Sequence, residues 1–121
     1  MFFPVSSWFP AFVLTLAVEA PIVLAFLRPP AAELVRLAVL FVVANLATHL
    51  TVWYVATQIL LVGTPEYVLV AEGWAIAAEA VFYVAAIPAI TPRRAFALAL
   101  VANVASALAG RFVVGVLPEL I

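Results

Sequence analysis

The sequence predicts an all-α integral membrane protein: four transmembrane helices, built as two parallel helical-hairpin repeats with a pseudo-two-fold axis along the membrane normal. Three observations predict it. Of the 121 residues, 69% are apolar and only 9% charged, against roughly 25% charged in soluble domains, and the mean hydropathy is +1.33. Such a chain cannot clothe a water-facing surface. A spanning helix takes about 20 apolar residues, so four fit with their connections and five would leave almost no loops. Finally, the few polar residues recur in the same pattern in both halves of the chain.

Breakers and charges mark out the elements within a single domain, residues 1–121. The first helix is expected over about 8–27, stopping at Arg28-Pro29-Pro30. Its apolar stretch runs into Glu19 rather than a small-residue cleavage site, and no basic segment precedes it, so it reads as a retained helix and not a signal peptide. The second spans about 32–61, with Glu33 in its favourable first turn, and ends at Gly63-Thr64-Pro65. The third covers about 66–87, closed by Pro88 and Thr91-Pro92, and the fourth about 93–116, ahead of Pro118.

Orientation follows from the arginines. Arg28 and Arg36 flank the first connection, and Arg93 and Arg94 lie in the third. The positive-inside rule makes that side cytoplasmic. Both termini and the Gly63 turn then face outside a cytoplasmic (inner) membrane, with Trp8, Phe9 and Tyr67 in the outer aromatic belt. Arg111 lies 17 residues after Arg94, roughly 25 Å along a helix, so it reaches the outer interface.

The halves are alike where polar residues fall. Val43-Ala44-Asn45-Leu46-Ala47-Thr48 returns as Val101-Ala102-Asn103-Val104-Ala105-Ser106, with Arg36 and Arg94 each nine residues before the Asn. Ala17-Val18-Glu19-Ala20 matches Ala77-Ala78-Glu79-Ala80. The expected repeats are residues 8–61 and 66–116. Each contains two crossings, and an even number of crossings gives parallel repeats.

Glu19, Asn45 and Asn103 are each nine residues from an arginine, and Glu79 is nine from Pro88. At 1.5 Å per residue all four lie roughly 13 Å inside the same boundary, near the midplane of a core about 30 Å thick. A charged side chain there costs about 2.5–3.5 kcal/mol on insertion scales unless it faces the bundle interior. Glu19 and Glu79 therefore read as proton-carrying or cation-binding groups. Asn45, Asn103, Thr48 and Ser106 add neutral oxygens and donors, a set that suits a hard cation or one proton shared between the carboxyls. Thr15, His49 and Glu72 continue the same stripes outward, whereas Phe26, Phe41, Phe82 and Tyr83 continue them inward. The column is expected to open outward and close inward.

Other readings attach to the same residues. The Glu and Asn side chains can serve purely as interhelical glue, His49 as a satisfied interior histidine, and Glu72 as a group in the outer water layer. Ala102-x-x-x-Ser106-x-x-x-Gly110 reads as a close-packing stripe, and Trp53, Trp74 and the phenylalanines as lipid-facing or core side chains. A Ser106–His49 dyad has nothing to orient it. No H-E-x-x-H, G-x-S-x-G or phosphate loop is present, so no enzyme is expected. Without cysteine there is no disulfide or thiolate chemistry; no cofactor is expected and no metal is specified. A net charge of −1 offers no basic patch for nucleic acid.

A Glu in helix 1, Asn-x-x-Thr-His in helix 2, a double-Glu stripe in helix 3 and Asn-x-x-Ser in helix 4 together resemble small bacterial four-helix inner-membrane proteins, a group of uncharacterised function. The resemblance spans nearly the whole chain and implies architecture only, with no activity, cofactor or site residue. The Ala/Val/Arg-rich, lysine-free composition fits a GC-rich prokaryote. Proton or cation transport or conduction is the function expected first. A structural or assembly subunit of a membrane complex and a lipid or apolar-ligand binder are the rivals. The expected partners are the bilayer, a proton or cation, and further copies of the chain or a membrane complex.

Overall fold

The computed structural model describes residues 5–117 and Glu119. Among these residues it is all-helical, with no strand and four helices long and apolar enough to cross a membrane. Helix α1 is Val5–Leu27, α2 is Ala31–Ile59, α3 is Pro65–Ala86 and α4 is Pro92–Val116.

The connections are set by local chemistry. Helix α1 ends where Arg28 turns left-handed (φ 45°) before Pro29, its N–H still bonded to Leu24 O. Gly63 (φ 87°) supplies the positive φ after α2. The two following helices start alike. Thr64 accepts a hydrogen bond from the Tyr67 N–H, and Thr91 from the Arg94 N–H, with Pro65 and Pro92 in the first turn. These are N-caps with proline at N1, where its missing N–H costs nothing.

Helix α2 is not uniform. It begins as a 3-10 turn (Ala31–Glu33), continues as α-helix (Leu34–Leu50), and widens into a π-helical segment (Thr51–Ala56) before its last turn. The Thr51 and Thr57 hydroxyls donate to Ala47 O and Trp53 O on either side of that widening. A wider turn offsets the helical faces before and after it, and such segments cluster at functional sites.

Arginines tie one end of the bundle together. Arg36 pairs with Glu33 at 2.9 Å and donates to Ala86 O at the end of α3. Arg94 lies over the Phe26 ring, 5.4 Å from its centroid. The starts of α2 and α4 therefore meet the ends of α3 and α1. The Gly63 turn lies at the opposite end, called here the turn end.

Lipid offers no hydrophobic drive between helices, so small residues and polar bonds hold them. Helix α4 shows the first device: Ala95, Leu98, Ala99 and Ala102 are fully buried along one face. With Val23, Phe41 and Tyr83, the first three of these make an apolar core on the arginine side of the bundle. Phe26 and Phe82 pack against it. Outward faces carry exposed Val35, Leu69, Val81 and Phe112, as expected of lipid-facing positions.

Candidate functional site

One polar side chain from each helix reaches the interior at a common level. Glu19 (0% exposed), Asn45 (1%), Glu79 (1%) and Asn103 (5%) are all buried. Thr48 is buried beside them and Ser106 half-buried. The level is fixed by helical register, because Val23, Phe41, Tyr83 and Ala99 of the apolar core each lie four residues from one of these four side chains.

The bonds form a closed ring around the bundle. Ser106 Oγ donates to Glu19 Oε1 at 2.6 Å, joining α4 to α1. Asn103 Nδ2 donates to Glu79 Oε2 at 2.8 Å, joining α4 to α3. Thr48 Oγ1 donates to Glu79 Oε1 at 3.1 Å, joining α2 to α3. Thr15 Oγ1 and His49 Nε2 lie 3.0 Å apart and join α1 to α2. Every neighbouring pair of helices is thus pinned at least once, and α2 and α3 again by Arg36 on Ala86 O.

The two carboxyls are served unequally. Glu79 receives two side-chain donors, whereas Glu19 receives one and its Oε2 is buried without a partner. Asn45 lies beside Glu19, but its amide donates to Phe41 O within its own helix, leaving its buried Oδ1 without a partner. His49 Nδ1 and Tyr83 Oη are also buried and unpartnered.

A cavity of about 250 Å3 extends from this layer toward the turn end. Asn45, Thr48, His49, Glu72, Glu79, Asn103 and Ser106 line it, together with Trp53 and Gly110. A cavity admits a water once about 10–15 Å3 of such free volume is present, so this one is wide enough to be wet. It opens onto a larger groove of about 650 Å3 toward the Gly63 turn. On the arginine side the apolar core fills the same cross-section. The polar column continues toward one end of the bundle and stops against Phe41, Tyr83 and Leu98 at the other.

Each sequence-derived site residue therefore has a place. Glu19, Glu79, Asn103, Thr48 and Ser106 form the network; Asn45 sits in the same layer. His49 lies one turn toward the turn end, edge-on to Phe12 and stacked on Trp53. Glu72 is half-buried, lines both cavity and groove, and makes no ion pair among the described residues. Ser106 and His49 bond to different partners, Glu19 and Thr15, so the two do not form a dyad. Among the described residues, no group of three or more His, Cys, Asp or Glu side chains is gathered tightly enough to hold a metal ion.

One residue differs from its sequence reading. Gly110 is not a close-packing point: a Cβ added there would meet nothing within 4 Å, because the residue faces the cavity. Ala102, fully buried, keeps the packing role. Trp53, half-buried, forms a wall of cavity and groove, carried on the π-helical segment. It lies four residues after His49, and the widened turn that carries it was not legible in the sequence.

No protein-family model matches this chain, and neither a curated protein nor a solved structure matches it significantly.

Proposed function

We propose that this protein conducts or transports a proton or small cation through the Glu19/Glu79 layer. One observation carries the reading: of two buried carboxyls, each hydrogen-bonded by a hydroxyl from another helix, Glu79 stands at the blind end of a cavity and Glu19 is linked to it through the cavity-lining Ser106, while the far side is closed by apolar packing. Buried intramembrane carboxyls are costly, and they mark ion and proton pathways. Access from one side with a seal on the other is what a stepwise carrier of charge needs in one of its states.

The hydroxyls add a chemical argument. Each has one proton to give and accepts through its lone pairs. Ser106 Oγ has a second acceptor in Asn103 O at 3.1 Å, and Thr48 Oγ1 has Asn45 O at 3.1 Å. An ionised carboxylate accepts a hydrogen bond from the hydroxyl. A protonated carboxyl donates a hydrogen bond to the hydroxyl oxygen, whose own O–H then turns to the backbone carbonyl. Both protonation states keep their hydrogen bonds.

The same relations support the duplication of residues 8–61 and 66–116. Exchanging the halves maps Glu79–Thr48 onto Glu19–Ser106 and the Asn45–Phe41 bond onto the Asn103–Ala99 bond. A pseudo-two-fold along the membrane normal, both termini outside and an inner-membrane setting belong to this proposal, on the arginine distribution. So does self-association, because four helices enclose little space.

The test is proton or cation flux into liposomes holding the purified protein. Flux is expected in the wild type and lost in Glu79→Gln and Glu19→Gln. Absence of flux in the wild type overturns the reading. The hydrogen-bond ring favours a second reading, a structural subunit whose polar residues fix helix register; co-purification with a larger complex, without flux, selects it.

A further inference from the structure

The groove beyond the carboxyl layer is larger than a proton path requires. Its volume of about 650 Å3 falls within the range of roughly 300–1,000 Å3 typical of small-molecule sites. Its walls are apolar and aromatic, with Val52, Trp53, Tyr67, Val68 and Val114. It joins the inner cavity through shared walls at Trp53, Glu72 and Gly110. Charge is distributed unevenly along this space. Glu72 stands at the junction and Glu79 at the blind end, while the basic side chain on the groove wall, Arg111, is exposed on α4, one turn beyond Ala107. His49 faces the inner cavity and Tyr67 the groove.

A second, independent feature points to a ligand. Asn45, 1% exposed, lines the inner cavity with a buried Oδ1 that has no donor. An acceptor buried out of reach of the cavity's water costs about 1–3 kcal/mol, which a donor brought against it would recover. Two carboxyls and a bare amide oxygen around one cavity, next to an aromatic groove, are complementary to a compact group that is both cationic and a donor of several hydrogen bonds. A primary ammonium is such a group; a bare alkali cation would not use the groove.

We infer that cavity and groove together bind a small amphiphilic primary amine, its ammonium group between Glu72, Glu79 and Asn45 Oδ1 and its apolar body along Trp53 and Tyr67. The inference rests on the transport reading for its setting, and names the substrate class of that site. Where the carboxyl is protonated, binding exchanges one cation for another: R–COOH and R′–NH3+ give R–COO−, the bound R′–NH3+ and a released proton. Atoms and charge balance. Amine and proton then compete for one site, the condition for coupling their movements in opposite directions.

The test is calorimetric titration of the purified protein with 2-phenylethylamine in two buffers of different ionisation heat. Saturable binding with proton release is expected. The N,N,N-trimethyl analogue keeps the charge but has no N–H for Asn45, and should bind about tenfold more weakly. Binding should be lost in Glu79→Gln. Gly115→Phe fills the groove from a position where an added Cβ meets nothing within 4 Å. It lies outside the hydrogen-bond ring, and should weaken binding about tenfold without lowering thermal stability. No saturable binding in the wild type, or full affinity in Gly115→Phe, overturns the amine site. Should Glu79-dependent flux persist without amine binding, the transport reading stands alone. Amine binding without any flux leaves the site and removes the transport reading.

Discussion

Ser106 Oγ lies 2.6 Å from Glu19 Oε1 and 3.1 Å from the carbonyl oxygen of Asn103, so a hydroxyl with one proton stands between a carboxyl on another helix and a backbone acceptor on its own. Thr48 repeats the arrangement toward Glu79, with Ala44 O and Asn45 O as its local acceptors. The register that places these hydroxyls three residues after an Asn is what converts a short sequence motif into an interhelical bond.

Truncation of Ser106 isolates what this contact contributes. In Ser106→Ala, Glu19 loses its side-chain donor, and both of its buried oxygens are left without one. A loss of about 1–2 kcal/mol in unfolding from detergent is expected, above the roughly 0.6 kcal/mol averaged by membrane hydrogen bonds, because the group left behind is a carboxyl. Ser106→Thr, which keeps the hydroxyl, should recover most of it. Equal stability of the alanine variant and the wild type would mean that water takes the place of the hydroxyl.

Access to the layer is predicted to be one-sided. Ala107 lines both cavity and groove, whereas Phe41 is buried in the apolar core. In this cysteine-free chain, Ala107→Cys should react with a membrane-impermeant thiol reagent applied from the turn side. Phe41→Cys should stay unlabelled from either side. The reverse pattern would place the seal at the wrong end and remove the support for transport.

How much of this was legible in the sequence follows from scarcity. In a chain with 9% charged residues, each Glu or Asn inside an apolar stretch has to face the bundle, and helical spacing alone then brings Glu19, Asn45, Glu79 and Asn103 to one level. The helix limits were equally plain, because Pro29, Gly63 and Pro92 stand at the breaks. Pairings were harder. Whether Thr15 meets His49 depends on how α1 and α2 rotate against one another, and neither helix's own pattern sets that. The Thr-Pro pairs read as terminators of α2 and α3, yet they act as the caps that start the next helices. Gly110 was misread because small residues permit close packing and empty space alike; only the position of the neighbouring helix decides between them.

The Ile87–Thr91 connection gives a test of local energetics away from the site. Ala89 adopts φ 61°, a region that costs an L-residue with a Cβ roughly 1–2 kcal/mol. Ala89→Gly should raise stability by about 1 kcal/mol, the relief of that cost less the added chain entropy. Thr91→Ala, which removes the cap on the Arg94 N–H, should lower it by about 1 kcal/mol. Opposite signs from substitutions two residues apart are the outcome to look for in thermal melts.

Topology can be tested separately from function. Reporter fusions at Met1 and Ile121 should both report a non-cytoplasmic location, since Arg28, Arg36, Arg93 and Arg94 gather at the other end. Cytoplasmic activity at both ends would invert the bundle and, with it, the side from which the cavity is reached.

The seal itself carries one side-chain hydroxyl, that of Tyr83. Tyr83 Oη is buried without a partner in the apolar core, one turn below Glu79. An unpaired buried hydroxyl is a net cost, so Tyr83→Phe should stabilise the fold by about 1 kcal/mol. A tyrosine kept at such a cost fits a group that passes a proton on, because its hydroxyl can accept from the carboxyl side and donate toward the arginine side. Under the transport proposal, Tyr83→Phe is therefore expected to gain stability and lose flux together, while Ala107→Cys labelling from the turn side is unchanged. Gained stability with unaltered flux would route the proton elsewhere. Lost stability would mean that the hydroxyl has a water partner, and that the seal is wetter than its apolar side chains imply.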